Sequence, residues 1–341
     1  MKKRVTIKDV AAQAGVTYQT VSKVINGHAQ VMPETEARIL AASRALGYKP
    51  NHSARSLRAQ RSQMIGYSWV PTGRNQANHI LDVFLSSMVE EAEAAGYHLL
   101  PFPYREGDDH VNAYAELIDS GRVDGFVLSS VNYHDPRVQF LLEKQFPFVA
   151  FGRCEPEFEF PFVDINGESG LRLATQHLLD LGHRRIAALA WPADSRVGND
   201  RLQGYFAAMQ AAGAPVDPSW VARGTGSFEF GRAAATAWLA LPDGARPTGV
   251  VALNDTMAIG ALHAAQSSVA LPGRHFSVVG FDDSPMAEYL WPSLSSVSQP
   301  IRLAGRKCVE MLVGLLTGEA LPERHVLLEP ELITRQSSGA V

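Results

Sequence analysis

Cysteine is scarce in this sequence: Cys154 and Cys308 are the only two in 341 residues, far apart and with no CxxC spacing. That excludes a disulfide framework and a thiolate zinc site, and it fits a reducing cytoplasm. No apolar run reaches the roughly 18 residues that a membrane-spanning helix needs. The opening stretch, Met1-Lys2-Lys3-Arg4-Val5-Thr6-Ile7-Lys8-Asp9, lacks the apolar segment of a signal peptide. Enzyme signatures are missing too. There is no Walker loop, no HExxH and no GxSxG, and Gly224-Thr225-Gly226 with Gly231 misses the dinucleotide spacing. Nothing prepares a nucleophile, a metal or a general base, so no enzyme activity, catalytic residue, metal or cofactor is expected. The 28 glycines and 20 prolines are spread throughout, which excludes collagen-like or proline-rich fibres.

What is present is core-forming material. Hydrophobic residues make up 46% of the chain and charged residues 19%, so most of it can fold, and the length suits two or three domains. Charge is unevenly placed. Residues 1–62 hold eleven Lys and Arg against three Asp and Glu, while the whole chain is at -4. A basic head on an acidic body points to a polyanion met by the head alone, or to a solvated basic surface.

The head reads as short helices. Thr6 and Asp9 fit a capping box, and Ile7, Val10, Ala11 and Ala14 share one helical face. Gly15 breaks that helix, and Thr17 can cap a second, Tyr18 to Ile25, that presents Tyr18, Gln19, Ser22 and Lys23 outward. A third runs from Pro33 to Leu46, with Gly47 after it and with Met32 where a capping Ser or Thr is expected. Two helices joined at Gly15-Val16-Thr17 make a helix-turn-helix. From Met64 the period changes. Strand-length apolar runs (Met64–Val70, Tyr97–Phe102, Gly125–Leu128, Pro147–Phe151, Arg185–Trp191, Gly249–Leu253, Phe276–Phe281) alternate with amphipathic stretches such as Leu81–Ala95, Glu168–Leu181 and Thr256–Ser267. That alternation predicts parallel sheets with helices on both faces, divided between two α/β subdomains.

Thr6-Ile7-Lys8-Asp9-Val10-Ala11 followed by Ala14-Gly15-Val16-Thr17-Tyr18-Gln19-Thr20-Val21-Ser22-Lys23-Val24-Ile25-Asn26 resembles the head of the lactose-repressor (LacI/GalR) family. Leu46-Gly47-Tyr48-Lys49-Pro50-Asn51 with Ala54-Arg55-Ser56-Leu57 resembles that family's third-helix end and hinge helix, and the resemblance continues to Ser337. It implies an α/β protein: an all-α helix-turn-helix head at 1–48, a hinge helix at 49–62, and a type I periplasmic-binding-protein-like core at 63–341. That core would consist of two doubly wound parallel-sheet subdomains, 63–163 with 293–323 and 164–292 with 324–341. The resemblance implies a repressor that binds a pseudo-palindromic operator as a cytoplasmic homodimer and answers to a small effector, with no membrane partner. The implied DNA-contacting residues are Thr6, Thr17, Tyr18, Gln19, Ser22, Lys23 and Asn26, with Asn51, Ala54, Arg55 and Leu57 in the hinge. Leu57 would wedge into the minor groove between cations.

In the body, Asn199-Asp200-Arg201-Leu202-Gln203-Gly204-Tyr205 resembles the helix start whose Arg grips ligand hydroxyls or a carboxylate. Asp282 resembles the family's sugar-hydroxyl acceptor, and Gln299 matches another frequent contact. Asn254 follows a strand, where α/β clefts bind ligands, although helix capping explains it equally. Trp191 would stack on a sugar or pack in the core. Asn78-His79-Ile80-Leu81 stands where the family commonly has Asn-Pro-Phe-Phe, so a wider or differently shaped pocket is expected. His183 reads as structural. The expected effector is a sugar or sugar derivative, with a sugar acid or a purine-like molecule behind it. Rival readings are a sugar-binding transport protein, which the basic head opposes, and a cytoplasmic carbohydrate-binding protein or enzyme of the same fold.

Overall fold

The computed structural model describes residues 5–25, 31–48, 61–69, 78–103, 111–268, 272–273 and 275–341. It divides into two compact units, Met1–Ser62 and Gln63–Val341. The expectations for Asn26, Asn51, Ala54, Arg55 and Leu57 lie outside the described residues.

The head holds α1 (Ile7–Ala14), α2 (Tyr18–Ile25) and α3 (Pro33–Ala45). At the start of α1, the Thr6 backbone N–H and hydroxyl both donate to the Asp9 carboxylate at 2.7 Å. Gly15 then takes φ 64°, a left-handed turn open to glycine. Thr17 Oγ1 accepts from the Thr20 N–H at 3.2 Å and so caps α2. Val10, Ala11, Ala14, Val21, Ile39 and Ala42 close into one core. The small alanines let α1 and α2 cross closely. Pro33 opens α3, and the Met32 side chain makes no cap hydrogen bond.

The body has two six-stranded sheets. The first runs β11 (His325–Leu328), β5 (Phe162–Ile165), β4 (Phe148–Phe151), β3 (Gly125–Leu128), β1 (Met64–Trp69), β2 (His98–Pro103), all parallel. The second runs β12 (Glu331–Ile333), β10 (Ser295–Ser298), β9 (Ser277–Phe281), β8 (Gly249–Ala252), β6 (Ile186–Ala190), β7 (Val221–Arg223). It is parallel except for the antiparallel pair β10–β12. Such doubly wound sheets bind ligands beyond the carboxyl ends of their strands. The helices that position the cleft are α4 (His79–Ala94), α5 (Asn112–Asp119), α6 (Pro136–Glu143), α7 (Gly167–Asp180), α8 (Arg196–Ala211), α9 (Phe228–Leu239), α10 (Asp255–Gln266), α11 (Pro285–Tyr289) and α12 (Ile301–Thr317). Gly204 on α8 lets that helix lie against α7: a Cβ there would stand 2.0 Å from the Glu168 carbonyl oxygen.

The subdomain boundaries expected from sequence need correction. The break at 163/164 cuts β5, which belongs wholly to the first sheet. Residues 293–323 were assigned to the first half, yet β10 pairs with β9 in the second; residues 324–341 were assigned to the second, yet β11 pairs with β5 in the first. The chain therefore crosses between halves at Asn166, at Gln299-Pro300 and at Glu329-Pro330. The cause is β10 itself. Its sequence Ser295-Ser296-Val297-Ser298 carries no apolar run. Ser295 and Ser296 are nonetheless buried, because Ser295 Oγ donates to the Arg335 carbonyl at 3.2 Å and Ser296 Oγ to Asp255 Oδ1 at 2.5 Å. Among the described residues, no helix is long and apolar enough to cross a membrane.

The bare start of α3 yields a direct expectation. Met32→Ser supplies the missing acceptor for the first free N–H groups, which is worth about 1 kcal/mol. Hydrogen exchange of the α3 amides in the full-length chain should slow accordingly; unchanged exchange would mean that solvent already satisfies them.

Candidate functional site

Two regions gather the expected functional residues. On the head, Tyr18, Gln19 and Lys23 are exposed along α2, while Thr6 and Thr17 stand at the starts of α1 and α2 with their hydroxyls engaged in capping. Ser22 departs from the expectation. It is only 9% exposed, lying on the shoulder of α2 between Val21 and Ile25, which turn into the core. The outward face therefore narrows to Tyr18, Gln19 and Lys23.

In the body, the second sheet delivers the ligand candidates in a row. Gln299 follows β10, Asp282 follows β9, Asn254 closely follows β8 and Trp191 follows β6, four neighbouring strands in the order of the sheet. Above them α8 lowers Arg201, which is 6% exposed. Its guanidinium carbon lies 3.7 Å from the Phe281 ring centre and 5.0 Å from that of Trp191, so the cation sits between two aromatic faces. Arg201 Nη1 donates to the Leu253 carbonyl at 2.5 Å and lies 3.6 Å from Asp282 Oδ1, and Nη2 donates to Gln299 Oε1 at 3.3 Å. Gln299 Nε2 donates to Asp282 Oδ1 at 2.7 Å.

Asp282 adopts φ 118° and Asp283 φ 47°. Backbone strain of this kind costs ~1–3 kcal/mol and clusters at functional sites. Arg335 Nη2 holds Asp283 Oδ1 at 2.7 Å and so anchors the turn. Burial pushes the Asp282 carboxyl up to about 7, with Arg201 opposing the rise. Asp255 is likewise raised, to about 6, by burial. Burial also lowers the Arg201 pKa from its ordinary value, and Asp282 opposes that fall.

Asn254 keeps its polar ends within the protein. Its Oδ1 accepts from the Met257 N–H at 2.8 Å as the cap of α10, and its Nδ2 donates to the Gly226 carbonyl at 3.0 Å. Gly226 is itself closed in, since a Cβ there would lie 2.7 Å from both Asn254 Nδ2 and Trp191 Nε1. Trp191 thus fills space beside Gly226 that a larger residue would claim. A cleft of about 510 Å³ opens beside Asp282 and Gln299, with His79, Ile80 and Ile301 also lining it. His183 sits away from the cleft, its ring bonded to Thr248, Ser277 and the Gly339 carbonyl at 2.8–3.1 Å.

Sequence reasoning missed a set of charges on the same side of the sheets. Arg153, after β4, donates from Nε to Asp164 Oδ2 and from Nη2 to Asp200 Oδ2, both at 2.7 Å. Arg196 Nη1 lies 3.1 Å from Asp200 Oδ2 and 3.7 Å from Asp164 Oδ2. The available signal was position: each follows or ends a strand, or starts the helix after one.

Comparisons with known proteins identify the chain's relatives. A family model for bacterial regulatory proteins of the lacI family matches residues 6–51, and one for a periplasmic binding protein-like domain matches residues 175–338. The chain is 36% identical over 343 residues to the HTH-type transcriptional regulator CelR of Thermobifida fusca, covering 98% of this chain and 99% of that one. A CelR–cellobiose complex has been solved; it is 35% identical with a TM-score of 0.74, covering 98% of this chain and all of its own. A LacI-family regulatory protein from Chloroflexus aggregans is 56% identical with a TM-score of 0.79, over 82% of this chain and 99% of its own. A lac repressor dimer bound to operator and the anti-inducer ONPF is 28% identical with a TM-score of 0.86, over 99% of this chain and all of its own.

The raised Asp282 carboxyl has a pH signature. Its folded pKa lies above the unfolded value, so its contribution to stability is complete below about pH 4 and is lost as pH rises through about 7. Asp282→Asn removes that dependence. The melting temperature of the native chain relative to the Asn variant should therefore fall between pH 5 and pH 8; a constant difference would place the carboxyl's titration elsewhere.

Proposed function

Because the chain belongs to the lacI family of bacterial regulatory proteins, which are DNA-binding transcriptional regulators and not enzymes, we propose that it is a cytoplasmic, homodimeric repressor whose hold on a pseudo-palindromic operator is set by a carbohydrate bound at Arg201. The arrangement that carries this reading is Arg201 between Trp191 and Phe281, with Asp282 and Gln299 bonded to each other beside it. Sugar recognition uses just such parts: aromatic faces for the ring's apolar side and fixed donor–acceptor pairs for its hydroxyls. Similarity to CelR, solved with cellobiose, supports a carbohydrate effector. In this reading Arg201, Asp282 and Gln299 touch the ligand, Trp191 stacks on it, and Asn254 positions the floor.

For DNA, Tyr18, Gln19 and Lys23 read base edges in the major groove while Thr17 and Asn26 hold phosphates, Thr6 stands at the same surface, and Asn51, Ala54, Arg55 and Leu57 act in the minor groove. One small head offers few contacts, so two heads on half-sites about one helical turn apart are required. The exposed Met286, Tyr289 and Trp291, on and just after α11, offer an apolar patch that self-association would cover.

Lys23→Ala should relax preference at one base of each half-site by ~1–3 kcal/mol. A uniform loss over all sequences, measured on a library of operator variants, would reassign Lys23 to phosphate. Arg201→Ala should abolish the response to effector while leaving ligand-free operator binding near normal, since Arg201 is remote in sequence from the helix-turn-helix. Linkage demands more: the factor by which effector changes operator affinity must equal the factor by which operator changes effector affinity. Calorimetric titration with and without operator measures both, and equal effector affinities in the two would remove the allosteric part of the proposal.

A further inference from the structure

After β9, three consecutive backbone N–H groups each meet an acceptor inside the protein. The Asp282 N–H donates to the Val297 carbonyl at 2.8 Å, the Asp283 N–H to Ser296 Oγ at 3.0 Å and the Ser284 N–H to Asp255 Oδ2 at 2.7 Å. The Ser296 hydroxyl gives its own hydrogen to Asp255 Oδ1 at 2.5 Å. Two of the three N–H groups therefore end on one carboxylate, one directly and one through a serine. Turns that aim successive N–H groups the same way form a concave seat for an anion. Asp282 at φ 118° and Asp283 at φ 47° build such a seat, and the Asp255 carboxylate fills it.

We propose that Asp255 is a positioning residue of the effector site: by filling this seat it holds the strained turn that sets the Asp282 carboxylate beside Arg201 and Gln299. This rests on the reading of Asp282 as an effector contact and adds a residue that acts on the ligand through the turn alone.

The helix that carries Asp255 does not explain where its oxygens go. An acid in the first turn of a helix ordinarily serves the free N–H groups there. At the start of α10 that task falls to Asn254, whose Oδ1 accepts from the Met257 N–H. Both Asp255 oxygens reach away from α10, one to the turn and one to β10. Asp255 is 3% exposed and does not line the cleft. A carboxylate is kept in such a place only where donors offset its lost hydration, and both donors here belong to the turn or to the strand that steadies it. The backbone of β9 makes room for it: a Cβ on Gly280 would stand 2.2 Å from Asp255 Oδ1. Without that carboxylate the Ser284 N–H and the Ser296 hydroxyl lose their acceptor. The turn can then relax from its strained torsions, which takes Asp282 Oδ1 away from the Gln299 amide that it now meets at 2.7 Å.

The test is a double-mutant cycle on the full-length protein, read by calorimetry with cellobiose, maltose and lactose as probes. Asp255→Asn keeps the shape but can accept for only one of the two donors; Ser296→Ala removes the relay alone and serves if Asp255→Asn does not fold, as judged by circular dichroism. For a sugar that binds the native chain, Asp255→Asn should weaken binding by about tenfold and Ser296→Ala by about threefold. In an Asp282→Asn background, each should change affinity by less than about twofold, because the residue they position is already gone. Unchanged affinity in the single variants, or a loss that persists undiminished beside Asp282→Asn, would overturn the positioning role while sparing the carbohydrate reading. Hydrogen exchange of the ligand-free chain supplies an arm that needs no sugar. The Asp283 and Ser284 amides should exchange at least about tenfold faster in Asp255→Asn than in the native chain, with the β8 amides unchanged. Equal exchange would overturn the proposal. Binding of none of the three sugars would overturn the carbohydrate reading and leave the exchange measurement to decide whether Asp255 holds the turn.

Discussion

A guanidinium sealed from water governs the arrangement of the body. Removing a cation from water costs several kcal/mol, recovered only when charge and hydrogen-bond partners are held in good geometry. For Arg201 those partners come from sequence-distant places: a carbonyl past β8, an amide past β10, a carboxylate past β9 and two aromatic rings. Adjacent parallel strands deliver them because each strand ends on the same edge of the sheet. The strained turn serves the same demand: the Asp282 N–H donates to the Val297 carbonyl and Arg335 holds the neighbouring Asp283, with the Asp282 carboxylate beside Arg201.

The elements legible in the sequence were those whose local chemistry agrees with their tertiary role. The Thr6–Asp9 cap, Gly15 and the Val10–Ala14 face specify the head helices from within a few residues. The apolar strands β1, β3, β6, β8 and β9 announce themselves because they are buried on both faces. The short strand β10 does not, because its serines are buried by hydrogen bonds to Arg335 and Asp255, which no local pattern reveals. The domain boundaries failed at that strand and at the short edge strand β11.

Site residues divide along the same line. Arg201, Asp282 and Gln299 stand in motifs that resemble a family's, and the structure brings them together. Ser22 was misplaced because one helical step separates a solvent face from a core shoulder. Arg153, Asp164 and Arg196 were invisible because each is an ordinary charge in sequence. Only the meeting of two sheets makes them a set.

The three passages of the chain between the halves set what motion is available. Each is one or two residues long, and two of the three contain a proline, Pro300 and Pro330, whose ring fixes one backbone torsion. Three short, stiff strings side by side leave few free rotations. Sliding or independent turning would have to deform all three at once, whereas a tilt about the line they define deforms them least. A ligand that bridges the halves would then act mainly on that one tilt angle.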